Sequence, residues 1–364
     1  PTLVESPLYD VFQRVLEGIE ESLNALASDR DDKLAYNRLL ASGERLSALV
    51  IAHGLSLRGL EAHPVGAEDI GLQLDGAGTA ARVDIAGSRA KLDRSAFHGV
   101  PVVTGWFGEG TDGNIALLGR GGSDHTATAL AALLQAQRVV LWKDVLGIYP
   151  VNPRWGVQSS PIPYLGYGEA MEFANADATI LHPATVEPVY EMGIPIEIRH
   201  LTGYKQDGMK TVIGPDIEVE PAIKGIACIP RVACVNAEVR YAQDAALALS
   251  DLLQALNEAG IRICSFDTTN TQWRFVFRQH DVSKGVKIVQ QHSSTVEYEY
   301  YAAMLSFIGC RDLNYLRSQL NDSNQADGPV YESVTSIHML SNRVDISRML
   351  DEMMSLVSQG KNHS

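Results

Sequence analysis

The chain has 364 residues, of which 45% are hydrophobic and 20% charged, and its formal net charge is −14. Such a composition is typical of a globular protein with two or three domains. The acidic balance argues against nucleic acid or an anionic membrane as a partner, because phosphate binding needs a basic surface. The sequence shows neither an apolar run near the roughly 20 residues of a spanning helix nor a signal-peptide pattern at its start. We therefore predict a cytoplasmic protein.

The cysteines and histidines lack the spacing of metal or disulfide sites. The four cysteines are scattered without a CxxC pair, and the ten histidines form no HExxH motif. We expect free, buried thiols in a reducing compartment and no dedicated metal site built by the protein.

The first half of the chain alternates helices and short strands. Apolar residues recur at helical spacing through 7–30, and a second helix is predicted over 39–54. Two β-rich apolar runs at 102–104 and 138–142 flank a helix that starts near Thr126. This strand–helix–strand order predicts a parallel sheet with right-handed crossovers. Two more helices and one strand follow, at 168–176, 184–192 and 194–199.

The segment at 118–127 (LGRGGSDHTA) concentrates polar chemistry before that helix. Its glycines allow backbone N–H groups to approach a ligand, and the helix directs its positive end to the same place. Arg120 adds a fork of donors that suits a carboxylate or phosphate. The alternative is an ordinary glycine-rich turn capped by Ser or Asp, and the pattern alone does not decide between them.

The pattern of predicted elements changes around residues 205–228, which are rich in turn residues. A strand–helix–strand–strand–helix pattern then occurs twice, over 232–292 and 297–358. The two units predict tandem ferredoxin-like modules. The second unit includes a helix predicted at 311–321. We place the domain boundary between residues 218 and 219, so that the domains are 1–218 and 219–364.

Five motifs occur in order along the chain: 42–47 (SGERLS), 101–108 (PVVTGWFG), 120–124 (RGGSD), 142–154 (WKDVLGIYPVNPR), and 169–174 (EAMEFA) with 180–188 (ILHPATVEP). Together they resemble the motifs of aspartate kinases, a branch of the amino-acid kinase superfamily. The tail from about 232 resembles the family's paired ACT modules. The resemblance implies an α/β fold: a three-layer amino-acid-kinase-like domain with a mostly parallel central sheet, followed by tandem ferredoxin-like (ACT) α+β modules.

The resemblance also implies a reaction, transfer of the γ-phosphoryl group of ATP to the side-chain carboxylate of L-aspartate. The product, 4-phospho-L-aspartate, opens the route to lysine, methionine and threonine. Arg120 would bind an aspartate carboxylate and Glu44 the ammonium group, and the alternatives are a surface ion pair and a solvated glutamate. The substrate and phosphate path would be lined by Gly121, Gly122 and Ser123. Asp124 would organise the phosphate-binding groups, since an ionised acceptor carboxylate needs no general base.

The nucleotide would lie along the fourth motif. The resemblance assigns ATP binding to Trp142, Asp144, Tyr149 and Arg154, although Tyr149 could instead be a core aromatic. We add the hypothesis that Lys143 supplies the nucleotide-binding cation that is lost at Thr179. Mg²⁺ would be carried mainly by the phosphates, because it retains waters and rarely has an all-protein cage.

His182, which precedes Pro183, is predicted to cap a helix rather than to act in catalysis.

Several departures from the family pattern leave alternatives open. The family's opening strand, K-x-G-G-T-S, has no counterpart before Ser42, and Thr179 occupies the place of a nucleotide-binding lysine. Lys143 replaces a hydroxyl residue, and 115–118 (IALL) replaces a run of threonines. The alternatives are a catalytically impaired regulatory or scaffolding relative, and a kinase for another acidic substrate.

Because the C-terminal modules resemble ACT modules, we expect a homodimer or a higher homo-oligomer. They lack the glycine that binds an amino-acid effector in such modules, since none occurs in 236–243, but polar residues remain at 267–270. Effector binding and a purely structural role therefore both stay open.

Overall fold

The computed structural model describes residues 3–176, 181–202, 209–217, 223–240, 244–309, 316, 318, 328–332 and 336–359. The chain separates into two compact units. Unit 1 comprises Pro1–Leu141 and Leu181–Glu197, and unit 2 comprises Trp142–Ile180 and Ile198–Ser364. Within the described ranges, no helix is long and apolar enough to cross a membrane. The boundary at 218/219 stays a prediction.

Unit 1 begins with two long helices that pack against each other, α1 (Tyr9–Ser28) and α2 (Lys33–Ser56). Both predicted helices are confirmed. α2 starts earlier than its apolar periodicity indicated, because the Asp32 side chain accepts the N–H groups of Leu34 and Ala35, both at 3.0 Å. Such a cap satisfies donors that the first turn leaves without a helical partner.

Short strands and two further helices follow in unit 1. They are β1 (Ala62–Val65), α3 (Ile85–Lys91), β2 (Val100–Val103), β3 (Phe107–Glu109), β4 (Ile115–Leu117) and α4 (Gly122–Leu134). β1 and β2 pair in parallel, and β3 and β4 form an antiparallel hairpin. The prediction that α4 starts near Thr126 is wrong, because the helix already begins at Gly122. Residues 122–124 therefore belong to its first turn.

A four-stranded sheet has the order β5-β7-β8-β6, with β6 and β8 parallel. Its strands are β5 (Val139–Lys143), β6 (Tyr164–Gly166), β7 (Ile196–His200) and β8 (Thr211–Gly214). The helices α5 (Tyr167–Asn175) and α6 (Pro183–Tyr190) confirm the predicted pair. The strands at 102–104 and 138–142 are also confirmed. The prediction that they share one parallel sheet is wrong for the described residues, because β2 pairs with β1 whereas β5 belongs to the sheet β5-β7-β8-β6.

The C-terminal part of unit 2 is one six-stranded sheet with the order β10-β11-β9-β12-β14-β13, in which neighbouring strands pair in antiparallel fashion. Its elements are β9 (Gly225–Val239), α7 (Ala245–Glu258), β10 (Ile263–Thr268), β11 (Gln272–Arg278), α8 (Val282–His292), β12 (Ser293–Ile308), β13 (Val330–Glu332), β14 (Ser336–Ser341) and α9 (Ile346–Gln359). Most of the helix predicted at 311–321 lies outside the described residues. The described elements follow the predicted double module.

The two modules are joined by their longest strands. β9 and β12 pair from Ser293 opposite Val239 to Ile308 opposite Gly225. β11 pairs with residues 232–238 of β9, and β14 pairs with residues 303–308 of β12. These two regions lie at opposite ends of the β9–β12 pair, so each long strand belongs to both modules. One core lies under α7 and α8 and contains Phe275. The other lies under α9.

The predicted free, buried thiols are confirmed for Cys228 and Cys234. Cys264 forms no disulfide but is only half-buried. Burial raises the pKa of the Cys228 thiol to about 12, so the thiol stays protonated and unreactive at neutral pH. Cys310 lies outside the described residues.

Candidate functional site

The glycine turn before α4 is shaped by close packing as well as by backbone freedom. Gly121 has φ +76°, a left-handed conformation that favours glycine. A Cβ atom at Gly121 would lie 2.7 Å from Cβ of His182, and one at Gly122 would lie 2.6 Å from side-chain atoms of Leu118 and Trp106. Only glycine fits either position without moving these neighbours.

The first turn of α4 presents the polar residues of the motif. Arg120 and Ser123 are exposed, Asp124 is half-buried and Gly122 is buried. The first N–H groups of a helix have no partner within the helix and carry its positive partial charge. The turn therefore combines backbone donors, a hydroxyl group and a guanidinium group, a set that suits an anion.

Trp106 and Thr126 hold this turn from one side. The Thr126 hydroxyl accepts the N–H of Trp106 at 3.1 Å and donates to the carbonyl of Gly122 at 3.0 Å. Trp106 has φ +71°, which is unusual for a bulky residue, and its carbonyl accepts the N–H of Leu118 at 2.8 Å. Trp106 lies within the 101–108 motif, but the hydrogen bonds of Thr126 could not be predicted from the sequence, because the residues it binds are not part of a local pattern.

Glu44 lies half-buried on α2, beside a fixed arginine. Arg45 forms an ion pair with Glu68, and its guanidinium lies 5.2 Å from the ring centre of Phe107. Burial raises the pKa of Glu68, while Arg45 acts in the opposite direction. These contacts fix α2 next to Glu44. Among the described residues, neither the carboxylate of Glu44 nor the guanidinium of Arg120 has a hydrogen bond or ion pair, so both charged groups can bind a ligand.

His182 caps α6, as predicted. Its Nδ1 accepts the N–H of Ala184 at 3.3 Å, and Pro183 occupies the first helical position. The ring thus has a structural role beside the Gly121 turn.

The predicted nucleotide residues lie in unit 2, at the end of β5 and in the loop that follows. Trp142 is 47% exposed, Asp144 is exposed, and Lys143 and Tyr149 are half-buried. Arg154 lies in the short turn Pro153–Trp155, exposed, with its guanidinium 5.2 Å from the Trp155 ring centre. Exposed aromatic and cationic groups are suited to a nucleotide base and its phosphates.

Thr211 fixes the loop that carries these residues. Its hydroxyl accepts the N–H of Ile148 at 2.8 Å and donates to the carbonyl of Ile162 at 2.7 Å. A Cβ atom at Gly147 would lie 2.5 Å from the same hydroxyl oxygen. Thr211 is fully buried and far from the loop in sequence, so no local pattern pointed to it.

The acidic and histidine side chains of the described residues form no metal cage. No group of three or more His, Cys, Asp or Glu residues among them is arranged to hold a metal ion. Thr179 lies outside the described residues.

Comparison with known proteins places the chain in a family. The model of the amino acid kinase family matches residues 11–200, more than half of the chain, and the chain therefore belongs to this family. Within it, the chain is similar to aspartokinases. It is 29% identical to aspartokinase of Geobacillus stearothermophilus over 78% of this chain and 70% of the relative. It is 27% identical to aspartokinase 2 of Bacillus subtilis, over 76% of this chain and 68% of the relative. The predicted resemblance is confirmed.

The fold is that of a solved aspartokinase. The structure of Escherichia coli aspartokinase III in complex with aspartate and ADP matches with a TM-score of 0.75 at 22% identity, over 96% of this chain and 81% of that chain. The same enzyme in complex with lysine and aspartate matches with a TM-score of 0.70 at 20% identity, over the same shares. The predicted fold class is confirmed.

Proposed function

We propose that this protein is an aspartate kinase, which transfers the γ-phosphoryl group of ATP to the side-chain carboxylate of L-aspartate. The observation that carries the proposal is the Arg120–Asp124 turn at the start of α4, in a member of the amino acid kinase family. The similarity to aspartokinases over more than three quarters of the chain supports the choice of substrate. The product is 4-phospho-L-aspartate, and the reaction opens lysine, methionine and threonine synthesis.

L-aspartate carries two carboxylates and one ammonium group, and unit 1 offers a partner for each sign of charge. Arg120 binds a carboxylate through its planar fork of donors. Glu44 binds the ammonium group, and the Arg45–Glu68 ion pair holds its helix in place. The reacting carboxylate is ionised at neutral pH and needs no base. Gly121, Gly122 and Ser123 line its path.

Phosphoryl transfer depends mainly on positioning and charge neutralisation. The N–H and hydroxyl groups of Ser123, at the positive end of α4, donate to phosphate oxygens. Asp124 organises these donors within the same turn. Because Gly121 and Gly122 are packed against His182, Leu118 and Trp106, the donors are held in place before the substrate arrives.

The nucleotide binds along the loop that Thr211 fixes. Trp142 and Tyr149 contact the nucleoside, Asp144 accepts hydrogen bonds from it, and Lys143 and Arg154 neutralise phosphate charge. Mg²⁺ bound to ATP would help to neutralise phosphate charge and would be held mainly by the phosphates. Support comes from the E. coli aspartokinase III complex with ADP.

The C-terminal modules form the homodimer or a higher oligomer in this proposal. The E. coli relative is known in complex with lysine, so an amino-acid effector is part of the proposal and its identity is open. Location in the cytoplasm stays a prediction from the sequence.

A hydroxamate assay tests the activity. The protein is incubated with Mg-ATP, L-aspartate and hydroxylamine, which traps the acyl phosphate as aspartyl hydroxamate. We expect product from the wild type and from Arg30→Ala, a control at an exposed arginine of the α1–α2 turn, and little from Arg120→Ala. A folded wild type that binds aspartate and makes no product would contradict the proposal and indicate an impaired relative. Product from another acid but not from aspartate would indicate a different substrate.

A further inference from the structure

His125 is a buried histidine in the first turn of α4, directly after Asp124. Its Nε2 accepts the N–H of Val83 at 3.1 Å, and its Nδ1 donates to the carbonyl of Ala184. A neutral imidazole carries one proton, so these two partners require the proton on Nδ1. The ring thereby ties α4 to two segments that are 42 and 59 residues away in sequence.

The Ala184 carbonyl needs an external donor because of a proline. In α6 its helical partner would be the N–H of residue 188, which is Pro188 and has none. Ala184 is buried, and a buried carbonyl without a partner is destabilising. The His125 proton therefore replaces the N–H that Pro188 lacks.

The charges around the ring balance one another. Arg82 and Glu187 form an ion pair at 3.0 Å, and Asp75 has a smaller electrostatic effect on the His125 ring. The cleft beside the ring is also lined by Arg89 and Glu191. Burial lowers the pKa of His125, which keeps the ring neutral near pH 7.

The N-terminal ends of α4 and α6 are therefore connected by one packing contact and one hydrogen bond. Cβ of His182 lies against Gly121, and the His125 ring binds Ala184. Rotation of α4 about its axis would break the second contact and would also redirect Ser123 and Asp124. We propose that His125 is a positioning residue: by donating to the carbonyl that Pro188 leaves free, it orients Ser123 and Asp124 for phosphoryl transfer. The catalytic part of this inference rests on the proposed function.

Two variants at this position separate the donor from simple packing. In His125→Asn the side-chain amide can still donate to Ala184, whereas His125→Leu fills the space without a donor. We expect kcat/KM for L-aspartate in the hydroxamate assay to fall about tenfold or more in the leucine variant, since small displacements of catalytic groups reduce rates strongly. The asparagine variant should stay within about threefold of the wild type. Equal losses in both variants, or no loss in the leucine variant, would overturn the proposal.

Pro188→Ala supplies the matched background, because alanine restores the N–H that the Ala184 carbonyl lacks. The loss of activity and of thermal midpoint caused by His125→Leu should be clearly smaller in this background. Losses that simply add would show that His125 and Pro188 are not coupled, and would overturn the pairing. If the wild type makes no hydroxamate, the proposed function fails, while the four thermal midpoints still decide whether His125 replaces the missing donor.

Discussion

Replacing Gly121 by alanine tests the glycine turn most directly. The new Cβ would lie 2.7 Å from Cβ of His182, where unstrained carbon atoms stay about 3.5–4.0 Å apart. Overlap of this kind is typically destabilising by about 1–3 kcal/mol. The left-handed backbone at φ +76° adds about 1–2 kcal/mol for a residue with a Cβ atom. The sum is about 2–5 kcal/mol.

Gly113→Ala is the matched control. Gly113 has φ +75°, almost the same backbone conformation, but a Cβ atom there would meet nothing within 4 Å. It should therefore show only the backbone part, about 1–2 kcal/mol. The difference between the two variants measures the contact with His182.

The assay is thermal unfolding of both variants beside the wild type, followed by the hydroxamate assay. Since 1 kcal/mol corresponds to about 2–4 °C in a domain of 150–250 residues, Gly121→Ala should unfold roughly 2–12 °C below Gly113→Ala. Gly121→Ala should also lose most of its activity, because the shifted turn misplaces Arg120 and Ser123, while Gly113→Ala stays active. Equal midpoints, or full activity in Gly121→Ala, would refute the packing argument.

Three further predictions address the substrate site, the nucleotide site and acid stability. Glu44→Gln should raise KM for L-aspartate about tenfold or more in steady-state kinetics, since a charge-assisted contact contributes about 1.5–3 kcal/mol. An unchanged KM would argue against binding of the ammonium group by Glu44. Lys143→Ala should raise KM for ATP without changing KM for aspartate, and an unaltered ATP dependence would remove Lys143 from the nucleotide site. His338 is buried between the hydroxyl groups of Ser306 and Ser336, and burial lowers its pKa to about 4. The neutral ring therefore contributes stability that is fully present above about pH 6.5 and is lost as the pH falls toward 4, because the unfolded chain binds the proton first. Between pH 7 and 5 the wild type should lose about 2 kcal/mol more stability than His338→Gln, as denaturant unfolding at each pH would show, and parallel losses would contradict this.

Local patterns predicted the elements well where they depended on periodicity. The helices α1, α5 and α6 and the strands β2, β5 and β7 lie close to their predicted bounds, because apolar spacing directly reflects which face is buried. The start of α4 was misplaced by four residues. Glycines and polar residues carry no apolar periodicity, so the helical conformation of Gly122, Ser123 and Asp124 was not visible.

The candidate site was predicted by residue type and only partly by position. Arg120, Glu44 and Arg154 follow from motifs whose chemistry is readable residue by residue. Thr126 and Thr211, which bind the backbone at Gly122 and Ile148, carry no such signal because a single hydroxyl group in a helix or strand has many roles. The assignment of Arg120, Glu44 and Arg154 to ligands stays a prediction.

By itself, the sequence determined the kinds of element, the repeated C-terminal module and the chemistry around the glycine turn, because these depend on neighbouring residues. Only the tertiary structure decided how β9 and β12 join both modules in one sheet and what completes the buried hydrogen bonds. The Ala184 carbonyl shows the reason. Pro188 removes its local partner, and the replacement is a histidine 59 residues away, which no local pattern could connect to it. Long-range contacts of this kind are set by the fold as a whole.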